Sequence, residues 1–365
     1  MRKSMPMFYS ALLLTAVNLL LRFAGTSFQV YISASLGASG VGLLQLVMSV
    51  GSLCMVAGIA GVRTATMYLT AEELGRGKPG HIKSVLSGCF LYSLLCSGAL
   101  SAALYLGAPR IAQSWIGNSE TLDSLRLFAA FLPLSCLCAV MTGYFTGANR
   151  IGTLAAVEVA EQLCSMAVTW WLLRFWAGGD AGRSCMSVIL GSGMGSLVTL
   201  SCLCVLRLME HNSAGGKIPV RSRLLETAVP LALADDLKSG INTAENLMVP
   251  RRLALCRAVE NPLGAFGLLS GMVFPILMFP ACILFSLAEL LIPELARCSA
   301  AGSRSRICYL VRRSLKIAML YGIFFAGLLI LLADPLCRKL YGNTEAARYL
   351  QLYGLLIPML YCDAI

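Results

Sequence analysis

The first candidate functional residue is an arginine, Arg22, that lies inside an apolar stretch. Arg22 lies near the middle of residues 7–33, a run long enough to cross a bilayer. At helical spacing it shares one face with five polar residues, Thr15, Asn18, Thr26, Gln29 and Ser33. A charge at mid-bilayer costs about 3 kcal/mol and usually faces protein or water. The spacing predicts a helix lining a polar, cationic cavity, and the alternative is a polar seam that joins helices.

A second polar face lies in the predicted seventh span. Asp235, Lys238, Asn242 and Glu245 are three to four residues apart, so they share one side of a helix, and Asp236 adjoins them. On one interpretation Lys238 and Asn242 contribute to substrate binding, while Asp235 or Glu245 exchanges a proton or binds Na⁺. On the other, Asp235 and Lys238 form a structural pair at i and i+3 that neutralises itself.

A third polar group combines the fifth and second spans. Glu158 and Glu161 lie on one face of the fifth span, and we predict that they take part in ion coupling and pair with Arg22 or Arg63. Arg63 is predicted to bind substrate with Arg22. The alternative for Arg63 is that its side chain extends to the membrane surface.

The elements that must position these residues are membrane helices. The chain is 58% hydrophobic and 13% charged, with a mean hydropathy of +0.76, whereas soluble domains carry about 25% charged residues. The composition predicts an all-α integral membrane protein. About ten spans are expected, at 8–34, 42–69, 84–107, 125–147, 151–175, 185–207, 224–250, 266–294, 310–333 and from about 348.

The net charge of +11 resides mostly in short loops between the predicted spans. We interpret it as a topology signal and expect no nucleic-acid partner. Alternate loops differ in Lys and Arg content, and the richer set includes the N-terminus. The positive-inside rule therefore predicts a multi-pass protein with a cytoplasmic N-terminus.

The sequence also repeats itself at an offset of 225 residues. Gly42-Leu43-Leu44 recurs as Gly267-Leu268-Leu269, and Gly117–Glu120 resembles Gly342–Glu345. Six spans separate equivalent positions, so the repeats are parallel. We predict two six-helix bundles, residues 1–215 and 216–365. The second holds about four helices, so we expect the chain to be a fragment or a truncated gene product.

No pattern in the sequence is typical of an enzyme. There is no Ser/His/Asp grouping and no Walker loop, and both histidines, His81 and His211, lie in loops. The cysteines are scattered through apolar runs, where a thiol behaves as a small hydrophobe. We expect no catalytic residues, no metal and no cofactor, with Na⁺ or H⁺ coupling as the open possibility.

Several stretches resemble one family of transporters. They are Leu20–Gly25, Leu36–Leu46, Gly58–Val62, Met248–Leu253 and Pro358–Asp363. They are similar to bacterial lipid-linked oligosaccharide flippases, with the stage V sporulation protein B group as the branch most resembled. The superfamily also holds the lipid II flippases and the multidrug and toxin extrusion transporters. Glu245 stands where this family usually has Asp, four residues before Val-Pro, and keeps the carboxylate.

The resemblance implies a non-enzymatic flippase of the bacterial cell membrane, with a role in polysaccharide or peptidoglycan synthesis, such as that of sporulation. It would move an undecaprenyl-pyrophosphate-linked glycan outward by alternating access. Arg22, Arg63 and Lys238 would hold the pyrophosphate, beside Asn18, Thr26, Gln29 and Asn242. We expect a monomer whose partners are the lipid-linked glycan and membrane lipids. Two alternatives are a cation-coupled multidrug extruder of the same fold and a membrane glycan polymerase or ligase.

Overall fold

The computed structural model describes residues 7–59, 61–76, 79–118, 120–178, 180–209, 221–255, 261–285, 287–288, 291, 303–342 and 344–363. These residues form helices and short turns, with no strand among them. Five helical segments of the described chain are long and apolar enough to cross a bilayer: Leu19–Gly75, Ile82–Ile116, Thr121–Gly147, Ala181–Leu208 and Arg304–Leu331. The all-α, membrane-spanning fold class predicted from composition is therefore confirmed.

The helices of the first part of the described chain are α1 (Met7–Ile59), α2 (Val62–Gly75), α3 (Ile82–Arg110), α4 (Thr121–Gly147), α5 (Ile151–Phe175), α6 (Ala181–Leu208) and α7 (Arg221–Leu255). Those of the second part are α8 (Pro262–Gly267), α9 (Phe274–Met278), α10 (Arg304–Leu331), α11 (Ala333–Tyr341), α12 (Glu345–Gly354) and α13 (Ile357–Asp363). Wider π-helical turns at Ile111–Ile116 and Leu268–Val273 follow α3 and α8.

The break predicted between the first two spans is present in the structure. A loop was expected near residues 35–41, and the helical conformation of α1 is interrupted there at Gly37 (φ 69°, ψ 173°), so α1 consists of two helices that meet at a kink. A second break was not predicted: α1 ends at Ile59 and α2 begins at Val62, inside the predicted span 42–69, and Gly61 has φ +70°. Glycine adopts positive φ readily because it has no Cβ, which suits it to both positions.

The chain divides into two compact units. Unit 1 comprises Met1–Gly42 and Leu263–Ile365, and unit 2 comprises Leu43–Pro262. The boundary at residue 42 lies within α1, and α7 groups with unit 2. This grouping by contact differs from the division at residue 215, which rests on the sequence repeat and stays a prediction.

Unit 2 is built around α2, α4 and α6. Its larger core includes buried side chains of α2, α3, α4, α5 and α6, and α7 adds Leu224 and Ala228 to it. Gly61, which precedes α2, is pressed against the Ala228 carbonyl, so a Cβ there would collide with α7 backbone. A second core cluster joins Val47 and Val50 of α1 to α3, α4 and α6. The close backbone approach and both clusters place α7 firmly in this unit.

Unit 1 has its own core, formed by the π-helical turn Leu268–Val273 and by helices α9 to α13. Its largest fully buried side chains include Leu277, Leu350, Ile357 and Tyr361. The Tyr361 hydroxyl donates to the Leu277 carbonyl at 2.8 Å. The first part of α1 also belongs to this unit, because the buried Ser33 hydroxyl donates to the Gly271 carbonyl at 2.6 Å.

Candidate functional site

In unit 2, α5 carries Glu158 and Glu161 on the side that faces α6, and we call these two residues the acidic pair. Both side chains are half-buried. Glu161 Oε2 accepts a hydrogen bond of 2.5 Å from the Thr199 hydroxyl on α6. The helices approach closely because α6 has Gly195 opposite Glu161, where a Cβ would lie 3.2 Å from Glu161 Cγ. Periodicity alone could not have identified Thr199 as the partner.

The cation near the acidic pair is Arg63 of α2. It lies close enough to Glu158 for electrostatic attraction, while Glu161 repels Glu158. In the part of the chain that the structure describes, Arg63 makes no salt bridge within 4.0 Å, and its residue is exposed. Arg63 therefore lies near the acidic pair, as predicted, but forms no salt bridge with it.

Polar side chains extend this site toward α4. Ser135 Oγ lies 3.2 Å from Ser196 Oγ, and the Cys138 thiol donates to the Ser196 carbonyl at 3.1 Å. Glu161 also acts electrostatically on Cys138. Small hydroxyl and thiol groups thus continue from the acidic pair between α4 and α6. Such groups hydrogen-bond membrane helices to one another. Beside a carboxylate, hydroxyl oxygens can also help to bind a proton or a hard cation.

The predicted polar face of α7 is exposed throughout. Asp235, Lys238, Asn242 and Glu245 all lie on its exposed side. Among the described residues no salt bridge joins Asp235 to Lys238, so the structure does not show the self-neutralising pair. The carboxylate that points inward is Asp236: its Oδ1 is buried without a hydrogen-bond partner among the described residues.

The opposite side of α7 carries polar contacts that sequence reasoning missed. The buried Thr243 hydroxyl donates to the Ser49 carbonyl at 3.0 Å, and Asn246 Nδ2 donates to Ser49 Oγ at 3.0 Å. At the end of α7, Arg251 donates to the carbonyls of Ser114 and Trp115. The spacing of Thr243 and Asn246 at i and i+3 was a usable signal for a buried polar stripe, although it could not name Ser49.

The predicted polar face of α1 is described only in part. The side chains of Asn18 and Arg22 lie outside the described residues. Thr26 and Gln29 are half-buried in unit 1, on the same helix as the buried Ser33. The predicted face is therefore packed inside unit 1 at Ser33, and its charged member stays a prediction from the sequence.

Unit 2 also contains a small cavity of about 110 Å³. Its lining includes Met48, Ser52, Phe128, Phe131 and Ser135. Sites for drug-sized ligands are about 300–1,000 Å³, so this cavity is too small for a lipid-linked glycan or a drug. The described residues contain no cluster of three or more His, Cys, Asp or Glu side chains that could hold a metal ion.

Comparison with known proteins finds similarity to membrane transporters and flippases. The MatE family profile matches residues 14–175. Stage V sporulation protein B of Bacillus subtilis (strain 168) is 24% identical over 355 residues, which cover 93% of this chain and 68% of the relative. The probable lipid II flippase MurJ of Rhizobium meliloti (strain 1021) is 22% identical over 262 residues, covering 69% of this chain and 47% of the relative.

The chain is therefore similar to members of the multidrug/oligosaccharidyl-lipid/polysaccharide exporter superfamily. Solved structures of transporters share its fold. An inward-facing multidrug resistance MATE transporter matches with a TM-score of 0.70 and 13% identity, covering 96% of this chain and 83% of the other. The Vibrio cholerae MATE transporter VcmN, in a mutant form, gives 0.64 and 16%, covering 96% and 80%. The chain thus has the helices of a multi-pass membrane protein, and its similarity to flippases and MATE transporters confirms the resemblance stated from the sequence.

Proposed function

We propose that this transporter flips a lipid-linked glycan, with undecaprenyl pyrophosphate as the lipid carrier, from the cytoplasmic to the outer leaflet. A peptidoglycan precursor is the substrate class we favour. The observation that carries the proposal is the similarity over 93% of the chain to stage V sporulation protein B. The similarity to a probable lipid II flippase supports the same substrate class.

Cationic side chains on the helices give the proposal its chemistry. Arg63 on α2 and Lys238 on α7 are exposed, and neither makes a salt bridge within 4.0 Å to a described acidic residue. Together with Arg22, they would neutralise a pyrophosphate, whose charge cannot cross hydrocarbon unaided. Asn18, Thr26, Gln29 and Asn242 would donate or accept hydrogen bonds beside them. The carrier lipid would stay in contact with the bilayer.

The acidic pair supplies a candidate coupling site. A half-buried carboxylate with a hydroxyl donor, as at Glu161 and Thr199, can hold a proton or Na⁺. Asp235 and Glu245 on α7 are the further carboxylates we assign to ion coupling. The membrane potential, worth about 2.3 kcal/mol per charge per 100 mV, would bias the return step. We place the N-terminus in the cytoplasm and expect a monomer that acts without enzymatic chemistry.

A flipping assay tests the proposal. The protein is reconstituted in liposomes holding a fluorescent lipid-linked pyrophosphate glycan, and the fraction exposed to a membrane-impermeant quencher is followed over time. We expect protein-dependent exposure that falls at least tenfold in Arg63→Gln. The control, Arg174→Gln, removes an exposed arginine from the end of α5 in the same unit and should flip at the wild-type rate. No protein-dependent exposure would refute the proposal.

A second candidate function is cation-coupled extrusion of cationic drugs. The acidic pair favours it, because two half-buried carboxylates with one nearby arginine leave a net negative site that suits a cationic substrate. The same liposomes, loaded with ethidium and given a pH or Na⁺ gradient, distinguish the two. Efflux that disappears in Glu161→Gln, without glycan flipping, would favour the extruder. Flipping without efflux would favour the flippase.

A further inference from the structure

The N-terminal half of α10 carries a dense basic surface. Five cations lie within residues 304–316, and α10 contains no acidic residue: Arg304, Arg306, Arg312, Arg313 and Lys316. Three of them, Arg312, Arg313 and Lys316, are exposed and lie with Tyr309 on one side of the helix. The other side, with Ser314, Ala318 and Gly322, is buried in unit 1. The basic surface therefore faces away from the core of its own unit.

The side chain of Arg313 is held in place by its neighbour Tyr309. Arg313 Nη1 donates to the Tyr309 hydroxyl at 2.6 Å, and the guanidinium carbon lies 5.8 Å from the centre of the Tyr309 ring. An arginine held in this way loses less conformational entropy when it binds an anion. Its planar group can also bind two phosphate oxygens at once.

The basic surface continues into an apolar one. On the same face of α10, Cys308, Ile317 and Leu320 lie exposed beside the cations. Further along the same helix, Ile323 and Phe324 are 56% and 64% exposed. The outer face of α10 therefore presents cations at one end and aliphatic and aromatic surface at the other. That order matches a lipid with an anionic headgroup and acyl chains.

We propose that this surface, Tyr309 to Leu320, binds an anionic phospholipid of the surrounding bilayer. The phosphate would lie among Arg312, Arg313 and Lys316, and an acyl chain would follow Ile317 and Leu320. Basic surfaces beside membrane helices attract anionic lipids by roughly 1 kcal/mol per Lys or Arg. The proposal does not depend on the transported substrate, because these residues are separate from the acidic pair and from the predicted substrate-binding residues.

Native mass spectrometry of the detergent-solubilised protein, titrated with phosphatidylglycerol or phosphatidylcholine, tests this site. Wild type should bind phosphatidylglycerol at least tenfold more tightly than phosphatidylcholine. The triple variant Arg312→Gln, Arg313→Gln, Lys316→Gln should lose about 100-fold of that affinity. The matched control removes three exposed cations of α11 and α12 from the same unit, Arg338, Lys339 and Arg348, and should stay within twofold of wild type.

Three outcomes would overturn the proposal. The first is an unchanged affinity in the triple variant, and the second is an equal loss in the control, which would show a bulk charge effect. The third is displacement of phosphatidylglycerol by inorganic phosphate or by undecaprenyl pyrophosphate at lower concentration than by phosphatidylglycerol itself. If the triple variant fails to elute as a monodisperse peak, the single variant Lys316→Gln is used, with an expected loss of about fivefold.

Discussion

Glu73, at the end of α2, is expected to stabilise unit 2 far more than its neighbour Glu72. The Glu73 side chain is only 4% exposed; its Oε2 lies 2.9 Å from His81 Nδ1 and its Oε1 lies 3.4 Å from Arg76 Nη1. Glu72 is 28% exposed and pairs with Arg76 Nη2 at 2.6 Å. The two glutamates share one arginine, so the two variants compare a buried carboxylate that also contacts His81 with a more exposed one.

The magnitude follows from these contacts. A buried hydrogen bond to a charged group contributes about 1.5–3 kcal/mol, and the arginine partner is 47% exposed, which weakens its share. We expect Glu73→Gln to lower the free energy of unfolding by about 2–3 kcal/mol. Glu72→Gln removes a surface ion pair and should cost about 0.5 kcal/mol. At roughly 2 °C per kcal/mol, the melting temperatures fall by about 5 °C and about 1 °C.

Thermal unfolding in one detergent, followed by tryptophan fluorescence, measures both shifts side by side. His81→Gln should reproduce part of the Glu73→Gln effect, because it removes a partner of the same carboxylate. Equal melting temperatures for Glu73→Gln and Glu72→Gln would refute the reasoning that burial decides the contribution.

Two further predictions concern how α7 and α2 join unit 2. Asn246→Leu, which removes the donor to Ser49, should lower the free energy of unfolding by about 0.6–1.7 kcal/mol in a proteolysis or thermal assay, while Asn242→Leu on the exposed side stays near wild type. An equal effect of the two variants would contradict the assigned contact. Gly61→Ala should lower the free energy of unfolding by more than about 1 kcal/mol, because the φ of Gly61 is positive and a Cβ there would collide with the α7 backbone. In the control, Gly75→Ala, the added Cβ meets open space, so the free energy of unfolding should stay the same or rise. A larger loss in Gly75→Ala than in Gly61→Ala would contradict the packing.

Much of the fold could be predicted from the sequence because local patterns determine it. Hydropathy and length predicted the membrane-spanning helical class. The break near residues 35–41 was also predicted, and it occurs at Gly37. The second break, at Gly61, was missed because it lies within a continuous apolar stretch. The sequence repeat shows which parts of the two halves are equivalent. It does not show which helices pack together, because packing depends on contacts such as that of Gly61 with Ala228.

The candidate site was predicted less completely. Helical spacing correctly put the four charged and polar residues of α7 on one side of that helix, and all of them are exposed. It gave no partner for the opposite side, where Thr243 and Asn246 meet Ser49 nearly 200 positions earlier in the chain. Thr199 was likewise missed as the donor to Glu161. Contacts between distant helices depend on how the helices cross, and this information is not present in the period of any single helix.

We propose that the Arg22 guanidinium, at the depth of the bilayer, receives the pyrophosphate of the substrate. The rate at which the liposome-reconstituted protein flips a fluorescent lipid-linked pyrophosphate glycan, compared among wild type, Arg22→Gln and Arg22→Lys, tests this role. We expect Arg22→Gln to insert normally but lose flipping, while Arg22→Lys keeps the charge and retains part of the rate. Wild-type flipping by correctly inserted Arg22→Gln would contradict it.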